Sequence, residues 1–95
     1  MNFVKINRGK VELRNSWGTL IRLITEGAKT ADLSEGLVLV TKLCGQVQLR
    51  NSNGILVRII TSGANDAKFQ GNNILIIKDR FCELRDQWGV LIRKY

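Results

Sequence analysis

Polar and apolar residues alternate along much of the chain with a period of two, and small turn-forming residues interrupt the alternation at regular distances. Val11-Glu12-Leu13-Arg14 runs into Asn15-Ser16-Trp17-Gly18, and Thr19-Leu20-Ile21-Arg22 then returns to apolar and β-branched positions. Successive side chains of a strand point to opposite faces, so this pattern predicts half-buried strands joined by a tight turn. Asn at the first turn position and Gly at the fourth suit a type I turn closed by a glycine of positive φ, the G1-bulge hairpin.

The hairpin recurs: Val11 to Arg22 returns as Val47 to Arg58 and again as Cys82 to Arg93. The shift is 36 residues from Arg14 to Arg50 and 35 from Arg50 to Arg85, and Gly9 to Ala28 matches Gly45 to Ala64 at 13 of 20 positions. Self-similarity at a fixed period marks a repeat architecture. An extended run precedes each hairpin: Phe3 to Ile6, Leu37 to Leu43 and Ile74 to Lys78. Before the last two stands a further segment, Gly27-Ala28-Lys29-Thr30-Ala31-Asp32-Leu33 and Gly63-Ala64-Asn65-Asp66-Ala67-Lys68-Phe69. It reads as a short innermost strand, which the first unit lacks. The expected organisation is one repeat domain over residues 1–95, with approximate units 2–27, 28–63 and 64–95.

Four short antiparallel strands in 35 to 36 residues, with Gly-x-x-Ile entries such as Gly71-Asn72-Asn73-Ile74, resemble a generic β-propeller blade. The resemblance covers nearly the whole chain, although no Trp-Asp blade ending or kelch double glycine ties it to a named propeller family. It implies an all-β fold of antiparallel repeated β-hairpins, about three blades per chain with the first incomplete. A β-prism, a barrel or sandwich, and a stack of hairpins share the pattern and stand as alternatives. Propellers typically close with about four to eight blades, so three blades imply a homo-oligomer, with a symmetric dimer forming a six-bladed ring.

Counting back from the turns without a register break sets Glu12 opposite Arg22, Gln48 opposite Arg58 and Glu83 opposite Arg93. These pairs would explain the second arginine of each copy. The same count groups Val11, Leu13, Ile21 and Leu23 on one core face, and Val47, Leu49, Val57 and Ile59 on the next. Arg14, Arg50 and Arg85 then face Leu20, Leu56 and Leu91 and have no carboxylate opposite. They are candidate anion contacts, or else residues whose stems cover neighbouring apolar surface. Trp17, Asn53 and Trp88 hold the third turn position, where an indole can stack on a base or pack on a sugar ring. These six residues form the candidate binding set.

Composition narrows the chemistry. With 44% hydrophobic and 24% charged residues the chain has the make-up of a soluble globular protein. Fifteen Lys and Arg against eight Asp and Glu give a net charge of +7, which favours an anionic ligand or nucleic acid. No histidine is present, so the usual general base and the commonest zinc ligand sets are missing. Cys44 and Cys82 lack metal-ligand spacing and read as free thiols. Neither a phosphate-binding glycine loop nor a carboxylate pair stands out, and we expect no enzyme activity, cofactor or metal. No apolar run approaches the roughly 18 residues of a membrane span, and the first residues have no signal-peptide core, so no membrane partner and a cytoplasmic location are expected. The sequence therefore points to a non-enzymatic binding or assembly module that self-associates. The alternatives are a nucleic-acid-binding protein using the repeated arginines and turn tryptophans, and a carbohydrate-binding propeller in which the tryptophans act alone.

Overall fold

The computed structural model describes all 95 residues, Met1 to Tyr95. Eleven strands and no helix are present: β1 (Phe3–Asn7), β2 (Lys10–Arg14), β3 (Leu20–Thr25), β4 (Ala28–Ser34), β5 (Leu37–Lys42), β6 (Val47–Asn51), β7 (Leu56–Thr61), β8 (Asp66–Gln70), β9 (Asn73–Ile77), β10 (Cys82–Arg85) and β11 (Leu91–Lys94). They form three antiparallel sheets in the orders β1-β2-β3, β4-β5-β6-β7 and β8-β9-β10-β11. Each sheet pairs only strands consecutive in sequence, and no closed barrel forms. The edge strands β4 and β8 arise from the two Gly-Ala segments. Sheet 1 begins instead with β1, the counterpart of β5.

The repeated turn has the expected geometry. Gly18 N–H donates to Asn15 O at 2.9 Å, and Asn15 Oδ1 accepts from the N–H groups of Trp17 and Thr19 at 2.9 and 3.0 Å. Gly18, Gly54 and Gly89 have φ of +83°, +84° and +85°. A side chain is strained there, and glycine is not.

Beyond the turn the register departs from simple counting. Arg14 does face Leu20, but Leu13 faces Arg22 and Glu12 faces Leu23, because Ile21 is an extra residue in β3. The second hairpin repeats the break, with Leu49 facing Arg58 and Gln48 facing Ile59, and the third sets Leu84 against Arg93 and Glu83 against Lys94. The expected Glu12–Arg22, Gln48–Arg58 and Glu83–Arg93 pairs therefore do not form. A β-bulge supplies the physical reason, since one unpaired residue moves every later side chain relative to its partner strand. A second bulge between the Val11 and Glu12 pairings brings Ile24 into the core. Ile21, Leu23, Val57 and Ile59, expected in the core, are 44 to 49% exposed instead, whereas Ile24 and Ile60 are 5 and 6% exposed.

Two apolar clusters hold the sheets together. Val11, Leu13 and Ile24 of sheet 1 meet Ala28, Val38 and Val40 of sheet 2, with Val4 and Ile6 packed against them. On the other face of sheet 2, Leu39, Val47, Leu49 and Ile60 meet Ala64, Ala67, Ile74 and Ile76 of sheet 3. Sheet 2 is thus covered on both faces, which explains why Val38, Leu39 and Val40, consecutive in one strand, are all fully buried. Fully burying a valine or leucine contributes roughly 1.5–3 kcal/mol, and these contacts dominate the cohesion of the stack.

The junctions also repeat in their backbone contacts. Ala28 N–H donates to Gly9 O at 2.9 Å and Ala64 N–H to Gly45 O at 3.0 Å. The second and third hairpin turns press on the preceding sheet: a Cβ on Gly54 would lie 2.9 Å from Ile24 O, and one on Gly89 would lie 3.1 Å from Ile60 O. Asp32 ties β4 to β8, one carboxylate oxygen accepting from Phe69 N–H at 2.8 Å and the other from Leu33 N–H at 3.0 Å. No helix is long and apolar enough to cross a membrane.

Candidate functional site

Alternation along a strand places residues i and i+2 on one face, and that local neighbour determines what the repeated arginines do. Arg14 donates through Nε and Nη2 to Glu12 Oε1 at 3.0 and 2.8 Å, and through Nη1 to Gly18 O at 2.6 Å. Arg85 makes the same contacts with Glu83 Oε1 at 3.0 Å and Gly89 O at 2.6 Å. In the middle unit Arg50 bonds Gln48 Oε1 at 3.0 Å and Gly54 O at 2.7 Å. Each guanidinium is a clamp between its own strand and the carbonyl of the turn glycine. The expectation that Arg14 and Arg85 have no carboxylate partner is corrected: the partner lies two residues back on the same strand, where a purely cross-strand search does not look.

The carboxylates register this arrangement. The hydrogen bond from Arg14 holds the Glu12 carboxyl below its ordinary value of 4.5, against a smaller opposing effect of desolvation. For Glu83 burial is the largest influence and would raise the value, but hydrogen bonds and charge from Arg85 and Lys78 outweigh it and the net direction is downward. Lys42 is lowered by burial and by the nearby Arg50 charge. Its ammonium donates to Thr25 Oγ1 at 2.9 Å and to Glu26 O, fastening sheet 2 to the end of sheet 1.

Trp17, Asn53 and Trp88 occupy equivalent turn positions on the three sheets, and their backbone N–H groups donate to Asn15, Asn51 and Asp86 Oδ1. Trp17 is 90% and Trp88 67% exposed, so neither indole folds back over its hairpin within the chain. The structure brings each candidate arginine close to its own turn, but the guanidinium faces the turn carbonyl. Arg22, Arg58 and Arg93 make no side-chain hydrogen bond or ion pair and stand exposed at equivalent places on the edge strands β3, β7 and β11. Sequence reasoning set these aside because it gave them Glu12, Gln48 and Glu83, which the other arginines occupy.

Two features belong to the ends of the stack. At sheet 3, Leu75, Ile77, Cys82 and Leu84 are only half-buried and Tyr95 is 59% exposed, although they stand where Leu39, Thr41, Val47, Leu49 and Ile60 stand in sheet 2. At sheet 1, Phe3 is 42% exposed, and nothing lies within 4 Å of where a Cβ on Gly18 would be. A cavity of about 380 Å³ opens between sheets 1 and 2, lined by Met1, Asn2 and Leu13 on one side and by residues including Leu33, Ser34 and Ser52 on the other. No group of three or more acidic or cysteine side chains is placed to hold a metal ion. Compared with known proteins, the chain matches no family model, and no curated protein matches it in sequence.

Proposed function

We propose that the chain is a non-enzymatic assembly module whose sheets act as propeller-like blades and whose two end faces associate head to tail with a second copy. The observation that carries this reading is the repetition of one junction. The face of sheet 1 formed by Val11, Leu13 and Ile24 is covered by sheet 2, and the equivalent face of sheet 2 is covered by sheet 3. The same face of sheet 3 is uncovered, and the opposite face of sheet 1 is free to receive it. A symmetric pair of chains satisfies both ends at once, with six units about one axis, and a closed cyclic contact of this kind stops at a finite size. Only 19 of the 95 residues are buried in the single chain, so added burial has an evident energetic value.

Light scattering coupled to size-exclusion chromatography tests this over a range of concentrations. The expected result is a dimer that Tyr95→Arg converts to monomer, with the Cys82 thiol shielded from a labelling reagent in the dimer while Cys44, exposed in its turn, reacts. A monomer mass up to millimolar concentration would rule the reading out.

A second reading, binding of nucleic acid or another anionic polymer, is favoured by a different observation: Arg22, Arg58 and Arg93 are exposed and unpartnered at the same place on three successive edge strands. Together with the net charge of +7 they would supply phosphate contacts. Trp17 and Trp88 would report or reinforce such contacts from the turns.

A further inference from the structure

Antiparallel pairing gathers five connections at one end of the stack: β1–β2 (Arg8 and Gly9), β3–β4 (Glu26 and Gly27), β5–β6 (Leu43 to Gln46), β7–β8 (Ser62 to Asn65) and β9–β10 (Lys78 to Phe81). Backbone hydrogen bonds stitch them together. Besides the Ala28–Gly9 and Ala64–Gly45 bonds, Leu43 N–H donates to Gly27 O at 2.9 Å and Asn65 N–H to Ile77 O at 2.8 Å. Arg8, Lys10, Lys29 and Arg80 stand in or beside these connections, exposed and without an ion pair. Lys94, also exposed, belongs to the same end because its ammonium lies 4.1 Å from the Phe81 ring centroid. Lys42 and Lys78 add charge there from half-buried positions.

The carboxylates at this end do not neutralise these cations. Asp66 accepts from Ala67 N–H at 2.8 Å, Asp79 accepts from the Asn65 side-chain amide, and the buried Glu83 is held by Lys78 and Arg85. Of the four, only Glu26 is both exposed and free of a hydrogen bond to its carboxylate. The connections at the other ends of the strands are Asn15 to Thr19, Glu35 to Gly36, Ser52 to Ile55, Gly71 to Asn72 and Asp86 to Val90, and they contain no Lys or Arg. The arginines beside them, Arg14, Arg50 and Arg85, are spent on turn carbonyls. The topology therefore weights the net charge of +7 toward the stitched end.

The repeat itself does not require these charges. Cys44 stands in the second unit where the first has Arg8, Gln46 where it has Lys10, and Asn65 stands in the third where the second has Lys29. Arg8 even holds a φ of +52° beside Gly9 at +79°, a turn position that Asn or Gly fills with less strain. Packed sheets lie about 10 Å apart, so cations on all three sheets are met together only by an extended polyanion. Each strand of a duplex offers a phosphate about every 3.4 Å along its axis. A lipid surface fits less well. Interfacial binding needs an apolar face, and Leu43 is the one strongly exposed large apolar side chain in these connections. We infer that the stitched end is a docking surface for the sugar-phosphate backbone of a nucleic-acid duplex, with Arg8, Lys10, Lys29, Arg80 and Lys94 on the phosphates. Such contacts position a duplex without reading its sequence. The surface shares its ligand class with the second reading above but none of its residues, and it requires no self-association.

The probe is a dye-labelled DNA duplex of mixed sequence, titrated with the full chain and followed by fluorescence anisotropy at several salt concentrations. Affinity should fall linearly with salt on logarithmic axes, and a second duplex of unrelated sequence should bind equally. The combined variant Arg8→Asn, Lys10→Thr, Lys29→Thr, Arg80→Ser should bind at least about tenfold more weakly at low salt and lose about 3 to 4 units of that slope. A readout that needs no variant is the amide NMR spectrum of the isotope-labelled wild type. On addition of duplex its shifts should cluster at Arg8 to Lys10, Lys29 and Arg80. An unchanged slope in the combined variant, with the slope flattened by Arg22→Ala, Arg58→Ala and Arg93→Ala together, would remove this surface and leave the second reading standing. Absence of binding at low salt would remove both. Tighter binding to phosphatidylserine vesicles than to the duplex would assign the end to lipid and overturn the inference.

Discussion

At the scale of single residues, the repeated arginines show how a buried-looking charge is kept at modest cost. Each guanidinium satisfies the acceptor two residues back and a turn carbonyl, while part of the side chain stays in water; Arg14 and Arg85 are 25% and 19% exposed. Gln48 does the same work in the middle unit without a charge, so the carboxylate is a strengthening feature and the geometry is the requirement. This gives a signed pH prediction. Glu12 and Glu83 have folded-state values below the ordinary 4.5, so their contribution is fully present above that value and is lost as pH falls through the lowered folded values. The double variant Glu12→Gln, Glu83→Gln should fold at pH 7 with a small loss of stability and show a shallower decline below about pH 4.5 than the wild type. Thermal melts from pH 3 to 7 measure this, and parallel curves for the two proteins would show that the carboxylates do not contribute.

The hairpin is the element that repeats, and its turn glycine serves two purposes that substitutions can separate. All three glycines need positive φ, but only Gly54 and Gly89 also press on a preceding sheet. Gly18→Ala should therefore cost about 1–2 kcal/mol, the price of a left-handed non-glycine residue. Gly54→Ala should cost a further 1–3 kcal/mol or so, because the new methyl group meets Ile24 O, a backbone atom that cannot move aside. Denaturant midpoints for the two variants should differ accordingly, and equal losses would mean that the turn does not bear on the neighbouring sheet. The bulges are the other feature of this element. They twist β3 and β7 so that Ile24 and Ile60 turn inward, and they leave Ile21, Leu23, Val57 and Ile59 half in water.

Across the whole molecule, cohesion comes from two apolar layers between sheets. Three partnerless arginines, Arg22, Arg58 and Arg93, repeat at one place on β3, β7 and β11, each an edge strand. If a polyanion binds there, tryptophan fluorescence titrated with a single-stranded oligonucleotide should change saturably, and affinity should fall steeply as salt rises. Replacing Arg22, Arg58 and Arg93 together with alanine should flatten that salt dependence, whereas an unaltered slope would move the binding surface elsewhere. The assembly reading is independent of this outcome, because its surfaces are the sheet faces at the ends of the stack and not the edge strands.

Much of the element structure was legible from alternation and turn chemistry alone: the three hairpins, the positive-φ glycines, and the additional strands β4 and β8. These features depend on neighbours a few residues apart, and the sequence repeats the hairpin three times and the strand before it twice with little change. The register beyond each turn was not legible. A bulge inserts a residue without changing the alternating pattern nearby, so Glu12 appeared to face Arg22 and Ile21 appeared to be core. Nor could composition tell which arginines were committed, since Arg14 and Arg22 have the same formal charge and lie in the same repeat. The tertiary structure decided these points by stacking the sheets. Contact between sheets determines which apolar face is covered, forces Gly54 and Gly89 against a backbone, and leaves the last face and the β1 edge without a neighbour. Sequence by itself determined the unit and its repetition, because both are local; the fold decided the junctions and the open ends, because burial depends on what lies across the gap.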